Sequence, residues 1–147
     1  MGPPPDMQPV ASPAASASLC DPLPPNDLEP LIEEHARRND LTPDLLRAVI
    51  RKESSNRPCA LSPKGAMGLM QLMPSTAAHL GLLNPFDPAE NIRAGSEYLG
   101  LLLNRYGGDL ALALSAYNAG PARVDAIKAI PRIAETQKYV ADILASQ

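Results

Sequence analysis

Helix starts are written into this chain at several places, and they leave little room for a sheet. Thr42 precedes Pro43, and Asp87 precedes Pro88. In each pair a side chain able to cap a first turn is followed by a proline whose fixed φ suits the first helical position. Behind these starts apolar residues return at helical spacing, and no run shows the sustained alternation of β-branched residues that marks a strand. Gly and Pro separate the segments. The pattern predicts helices over 28–38, 43–54, 66–72, 88–106, 110–117, 121–128 and 134–145, and a turn or two capped by Ser75 that ends before Gly81. The expected fold class is all-α.

A chain of 147 residues defaults to one domain and can bury a core without metals or staples. Aromatics are only 3% and Trp is absent, so that core must be built from Leu, Ile, Val, Ala and Met. A net charge of −3 gives no electrostatic case for nucleic acid, which needs a basic face. No apolar run approaches the ~18 residues of a membrane span.

The N-terminus is different material. MGPPPDMQPVASPAASASLCDPLPP holds eight prolines, with many Ala and Ser. Residues 1–25 are expected to be a disordered or extended tether, and 26–147 the folded domain. No Lys or Arg precedes Arg37, and no apolar h-region is present, so this is not an intact signal peptide. A cytosolic protein, or a chain whose export segment has been removed, would both look like this. The two cysteines, Cys20 and Cys59, leave the same choice open. They are a disulfide worth about 3–4 kcal/mol in an oxidising compartment, or two unrelated thiols in a reducing one.

Chemistry is concentrated around one acid. Leu46, Val49, Ile50 and Glu53 share a helix face at i, i+3, i+4 and i+7, so Glu53 takes a core-facing position. It lies in the last turn, where the helix dipole disfavours a negative charge. Burial and dipole both raise a carboxyl pKa, toward about 6, as a general acid requires. From Ser54 to Phe86 there is no other Asp or Glu. The alternative is a solvated acid on a fraying helix end, paired with Arg57.

In SPKGAMGLMQLMP, Ser62, Pro63 and Gly65 favour irregular backbone, and Gly68 permits close approach of backbone or ligand. Gln71 sits among Leu69, Met70, Leu72 and Met73 as a neutral amide suited to sugar hydroxyl and acetamido groups, or else faces solvent from a core helix. Tyr117 and Asn118, at a helix end before Gly120-Pro121, can line a polar cleft or serve as core and cap. Glu135 suits a first helical turn.

Four ordered blocks, AVIRKESSNRPCALSPKGAMGLMQLMPSTA, ENIRAGSEYLGLLL, ALSAYNAGPARV and IPRIAETQKYV, resemble the soluble lytic transglycosylase (goose-lysozyme-like) family. They span about residues 28–143. The resemblance implies a lysozyme-like, mainly α-helical domain with a groove for peptidoglycan glycan strands. It implies Glu53 as the single catalytic acid and later base. It implies that Ser62 orients the muramoyl residue or Glu53, that Gln71 and Met73 line the cleft, and that Tyr117 and Asn118 hold the sugar. Glu135 would be a supporting cleft residue. The implied reaction forms 1,6-anhydromuramic acid ends without water, metal or cofactor. A water-using muramidase and a non-catalytic peptidoglycan-binding protein are the alternatives. The resemblance also implies a periplasmic or cell-envelope site, favours the Cys20–Cys59 pairing, and admits a secretion-machinery partner. A monomer is expected.

Overall fold

The structure, a computed structural model, describes residues 20–147. Among them are seven helices: α1 Pro25–Arg38, α2 Pro43–Ser54, α3 Pro74–His79, α4 Pro88–Arg105, α5 Leu110–Ala119, α6 Pro121–Ile127 and α7 Ala134–Ser146. The only β features among the described residues are two isolated bridges, Leu61–Met67 and Met67–Leu72. The expected all-α class is the observed one.

The cap-then-proline starts are realised in hydrogen bonds. Thr42 Oγ1 accepts from Leu45 N at 3.1 Å, and Asp87 Oδ2 from Glu90 N at 2.9 Å. Asp109 does the same for α5, accepting from Leu112 N at 3.1 Å. Each such cap contributes about 1 kcal/mol. α5 is apolar nearly all round, as a central helix must be. It packs against α4, α6 and α7, while α1 packs on α4 and α2, and α2 on α7. The core follows the composition: Ile32, Leu46, Ile50, Leu69, Ile92 and Leu114 are fully buried aliphatics.

Three expectations need correction. The folded part begins before Asn26: Cys20 is buried, Leu23 N donates to Asn56 O at 2.8 Å, and α1 starts at Pro25. The expectation of a tether over 1–19 lies outside the described residues. Next, Ser75 is not a cap. Pro74 takes the first position of α3, and Met73 the cap position, without a side-chain bond.

The third correction matters for the site. Residues 66–72 are not a helix but a tight reversal, with Met67 and Leu72 exchanging N–H···O bonds of 3.0 Å in both directions. Gly68 (φ 79°) and Gln71 (φ 53°) are both left-handed, which a right-handed helix excludes. Asn91 of α4 holds the segment from below. Its Nδ2 donates to Met67 O (3.0 Å) and Pro85 O (2.8 Å), and its Oδ1 accepts from Met70 N (2.7 Å). A Cβ on Gly68 would run into the Asn91 amide and the Pro85 carbonyl. The apolar spacing of Leu69, Met70 and Leu72 reflects burial of a loop rather than a helical stripe.

Candidate active site

Glu53 ends the apolar face of α2, in its last turn. The helix stops there because Ser55 turns left-handed (φ 55°) and returns its N–H to Arg51 O. Tyr139 of α7, itself only 4% exposed, donates its hydroxyl to Glu53 Oε2 at 2.7 Å. Desolvation pushes the Glu53 pKa up to about 7. The Tyr139 hydrogen bond pulls in the opposite direction, and the charge of Glu135 adds to the rise. The acid and its anion are thus close in population near neutrality, and the anion has a donor waiting for it. Ser54, next in sequence, spends its hydroxyl on Ile50 O at 3.0 Å, a helix back-bond.

One wall is the turn after Cys59. Ser62 N donates to Ala66 O, Ala66 N donates to Ser62 Oγ and Gly65 N to Ser62 O, each at 2.9 Å. The Ser62 hydroxyl is therefore pinned as an acceptor, with its own proton left to donate. Gln71 Nε2 donates to Gly68 O (2.9 Å) and Ala60 O (3.2 Å). That occupies its N–H groups and leaves its carbonyl as the acceptor for a ligand.

The opposite wall comes from α5 and α7. Tyr117 hydroxyl donates to Met70 O at 2.7 Å, and its ring lies against Tyr98 with centroids 5.5 Å apart. Burial and the nearby Glu53 drive the Tyr117 pKa well up, so its phenol stays neutral. Asn118 Oδ1 accepts from Thr136 Oγ1 at 2.8 Å, which fixes the amide and leaves its NH2 to donate. Thr136 and Tyr139 lie one turn apart on α7, so that helix orients Asn118 and Glu53 together.

Two cavities result. One of about 240 Å³ is bordered by Glu53, Arg57, Leu61, Ser62 and Gln71. Another of about 360 Å³ is bordered by Lys64, Gln71, Met73, Tyr98, Tyr117 and Asn118. Gln71 borders both, so the two adjoin at that side chain and together make a trough that Glu53 lines at one end. Met73, 41% exposed, gives it an apolar lip. Glu135, in the first turn of α7, is exposed and on neither cavity wall, and reaches the site through its charge alone.

The sequence-predicted residues Glu53, Ser62, Gln71, Met73, Tyr117 and Asn118 thus come together, while Glu135 stands outside the trough. Sequence reasoning assigned no role to Tyr139, Thr136 or Tyr98. The signal for the first two was available: two hydroxyl side chains at i, i+3 on a buried helix face. At the rim of the smaller cavity, Cys20 and Cys59 have Cα atoms 6.0 Å apart, with sulfurs at bonding distance. Arg57 Nη1 donates to Cys20 O at 2.8 Å. No group of three His, Cys, Asp or Glu side chains among the described residues is placed to hold a metal ion.

Known proteins share this chain's sequence pattern and its fold. The family model described as "Transglycosylase SLT domain" matches residues 30–140. A transglycosylase of Enterobacteria phage PRD1 is 49% identical over 81 residues, covering 55% of this chain and 30% of that protein. The soluble lytic murein transglycosylase of Salmonella typhimurium is 35% identical over 147 aligned residues, covering 84% of this chain but 22% of that protein. The chain therefore spans less than a third of the length of these relatives. The solved structure of an inactive glutamate-to-glutamine mutant of lytic transglycosylase Slt from Pseudomonas aeruginosa superposes with a TM-score of 0.70 at 30% identity. It covers 80% of this chain and 22% of that one, and the lysozyme-like fold is shared. With the family model matching most of its length, this chain belongs to the transglycosylase SLT domain family.

Proposed function

We propose that this domain cleaves the β-1,4 bond between N-acetylmuramic acid and N-acetylglucosamine in peptidoglycan strands, without water, leaving 1,6-anhydromuramoyl ends. One observation carries the proposal. Glu53 is a carboxyl lining the trough, with its pKa raised to about 7 and a phenol hydrogen-bonded to it to receive its anion, and no second carboxylate lines either cavity.

In the proposed reaction the Glu53 proton goes to the glycosidic oxygen as its bond to the muramoyl C1 breaks. The departing N-acetylglucosamine leaves as an alcohol. The substrate's acetamido carbonyl stabilises the positive charge developing at C1. Tyr139 stabilises the Glu53 carboxylate during this interval. That carboxylate then removes the proton of the 6-hydroxyl, and O6 bonds to C1. The ring closes, Glu53 regains its proton, and no atom of water is consumed. Ordinary glycoside hydrolysis divides the same duties between two carboxylates.

The binding groups left over in the trough suit this substrate. Ser62 and Asn118 offer donors, Gln71 offers an acceptor, and Tyr117, Tyr98 and Met73 offer faces against which a pyranose can lie. The substrate places the domain at the cell envelope, where Cys20 and Cys59 would be held as a disulfide. Digestion of purified sacculi by wild type and Glu53→Gln tests the reaction, with products read by mass. Wild type is expected to release ends one water lighter than reducing ends, and Glu53→Gln is expected to release almost none. Equal release by both proteins would overturn the proposal.

A further inference from the structure

The trough walls carry three charged side chains, Glu53, Arg57 and Lys64. Glu53 is the acid, and Arg57 donates to the Cys20 carbonyl. Lys64 differs from both. It enters none of the ion pairs among the described residues, and no hydrogen bond there uses its ammonium.

Its base is rigid. Lys64 lies within the Ser62–Gly65 turn, which three backbone and Ser62 hydrogen bonds close. Gly65 takes φ 97°, a conformation that closes the turn over Pro74. From this anchor a flexible four-carbon stem carries a point charge along the cavity shared with Met73, Tyr117 and Asn118. No carboxylate borders that cavity to cancel it. An unpaired ammonium at the lip of a sugar trough suits an anionic substituent on the sugar. Of the two sugars in the strand, only the muramoyl residue bears one, through its O3 lactyl arm.

We infer that Lys64 is a specificity-determining residue that receives a carboxylate carried on the muramoyl O3 arm. The inference rests on the substrate proposed above. Two sources offer that chemistry, a carboxylate of the attached stem peptide or the free carboxylate of an unsubstituted lactyl group. In either case Lys64 raises affinity for muramoyl-bearing strands over uncharged glycans and takes no part in bond breaking.

The test compares wild type, Lys64→Met and Lys64→Arg on three strands: peptide-bearing, amidase-stripped, and peptide-bearing with carboxyls converted to amides. Lys64→Met is expected to raise KM about five-fold on a carboxylate-bearing strand with kcat unchanged, the size of one solvent-exposed ion pair. The difference should shrink with added salt. Lys64→Arg should stay within about two-fold of wild type, because the charge is kept. On amidated strands Lys64→Met should match wild type. A KM effect on peptide-bearing strands assigns the stem carboxylate, and one on stripped strands assigns the lactyl carboxylate. No effect on either strand, or an equal loss on amidated strands, overturns the inference. The same digests report whether new ends are anhydro or reducing, so failure of the chemistry and failure of the Lys64 role are read separately.

Discussion

A carboxyl that must give a proton and then take one needs its two charge states close in energy at working pH. Glu53 gets there by opposition. Desolvation and the Glu135 charge favour the neutral form, and the Tyr139 hydroxyl favours the anion. The balance lies at about 7, so the competent acid is lost as pH rises through that value. kcat/KM for strand cleavage should therefore show an alkaline limb with a midpoint near 7. Tyr139→Phe deletes the one hydrogen bond that lowers the pKa, so its limb should move to higher pH while the plateau falls roughly ten-fold or more. A limb unmoved in Tyr139→Phe would contradict this role. Glu53 itself was legible because it breaks an apolar helical period. Its surroundings were not. The acid-free run from Ser54 to Phe86 said nothing of Glu135, which folding brings within electrostatic reach from eighty-two residues away.

At the scale of elements, the helices were legible wherever cap chemistry and apolar spacing agreed, as at Thr42-Pro43 and Asp87-Pro88. They were not legible at 66–72, where apolar spacing stood alone. There the backbone is tied by a side chain from a distant helix, Asn91, and no local pattern announces such a partner. Asn91 serves three backbone groups of the segment and of the loop before α4. Asn91→Ala should strand the Met70 N–H and the Pro85 carbonyl, and take from the Met67 carbonyl one of its two donors, at a cost of about 3 kcal/mol. Chemical denaturation measures it. Activity should fall with stability, because this segment presents Gln71 and carries the Met70 carbonyl that holds Tyr117. A loss below about 0.5 kcal/mol, within the range of ordinary surface substitutions, would contradict the structural role given to Asn91.

Over the whole molecule, α5 supplies a central apolar rod, and the helices around it place the site at their ends. α2 contributes Glu53, α5 contributes Tyr117 and Asn118, and α7 locks both to itself through Tyr139 and Thr136. The composition foretold an aliphatic core, and the core is aliphatic. It could not foretell how the stretch from Cys20 to Pro24 packs, because that depends on Asn56 and Cys59 thirty or more residues away. A Cys20–Cys59 disulfide closing that loop would contribute about 3–4 kcal/mol. Reduction should add two hydrogens to the intact mass and lower the unfolding midpoint. Two free thiols in protein prepared under oxidising conditions would contradict the pairing.

The central claim is that one glutamate serves twice and that water takes no part in the bond exchange. Digestion of peptidoglycan strands in oxygen-18 water reads this directly. New muramoyl ends should be anhydro and carry no label. Labelled reducing ends, formed at the rate of strand cleavage, would contradict the account and assign the cleft to hydrolysis.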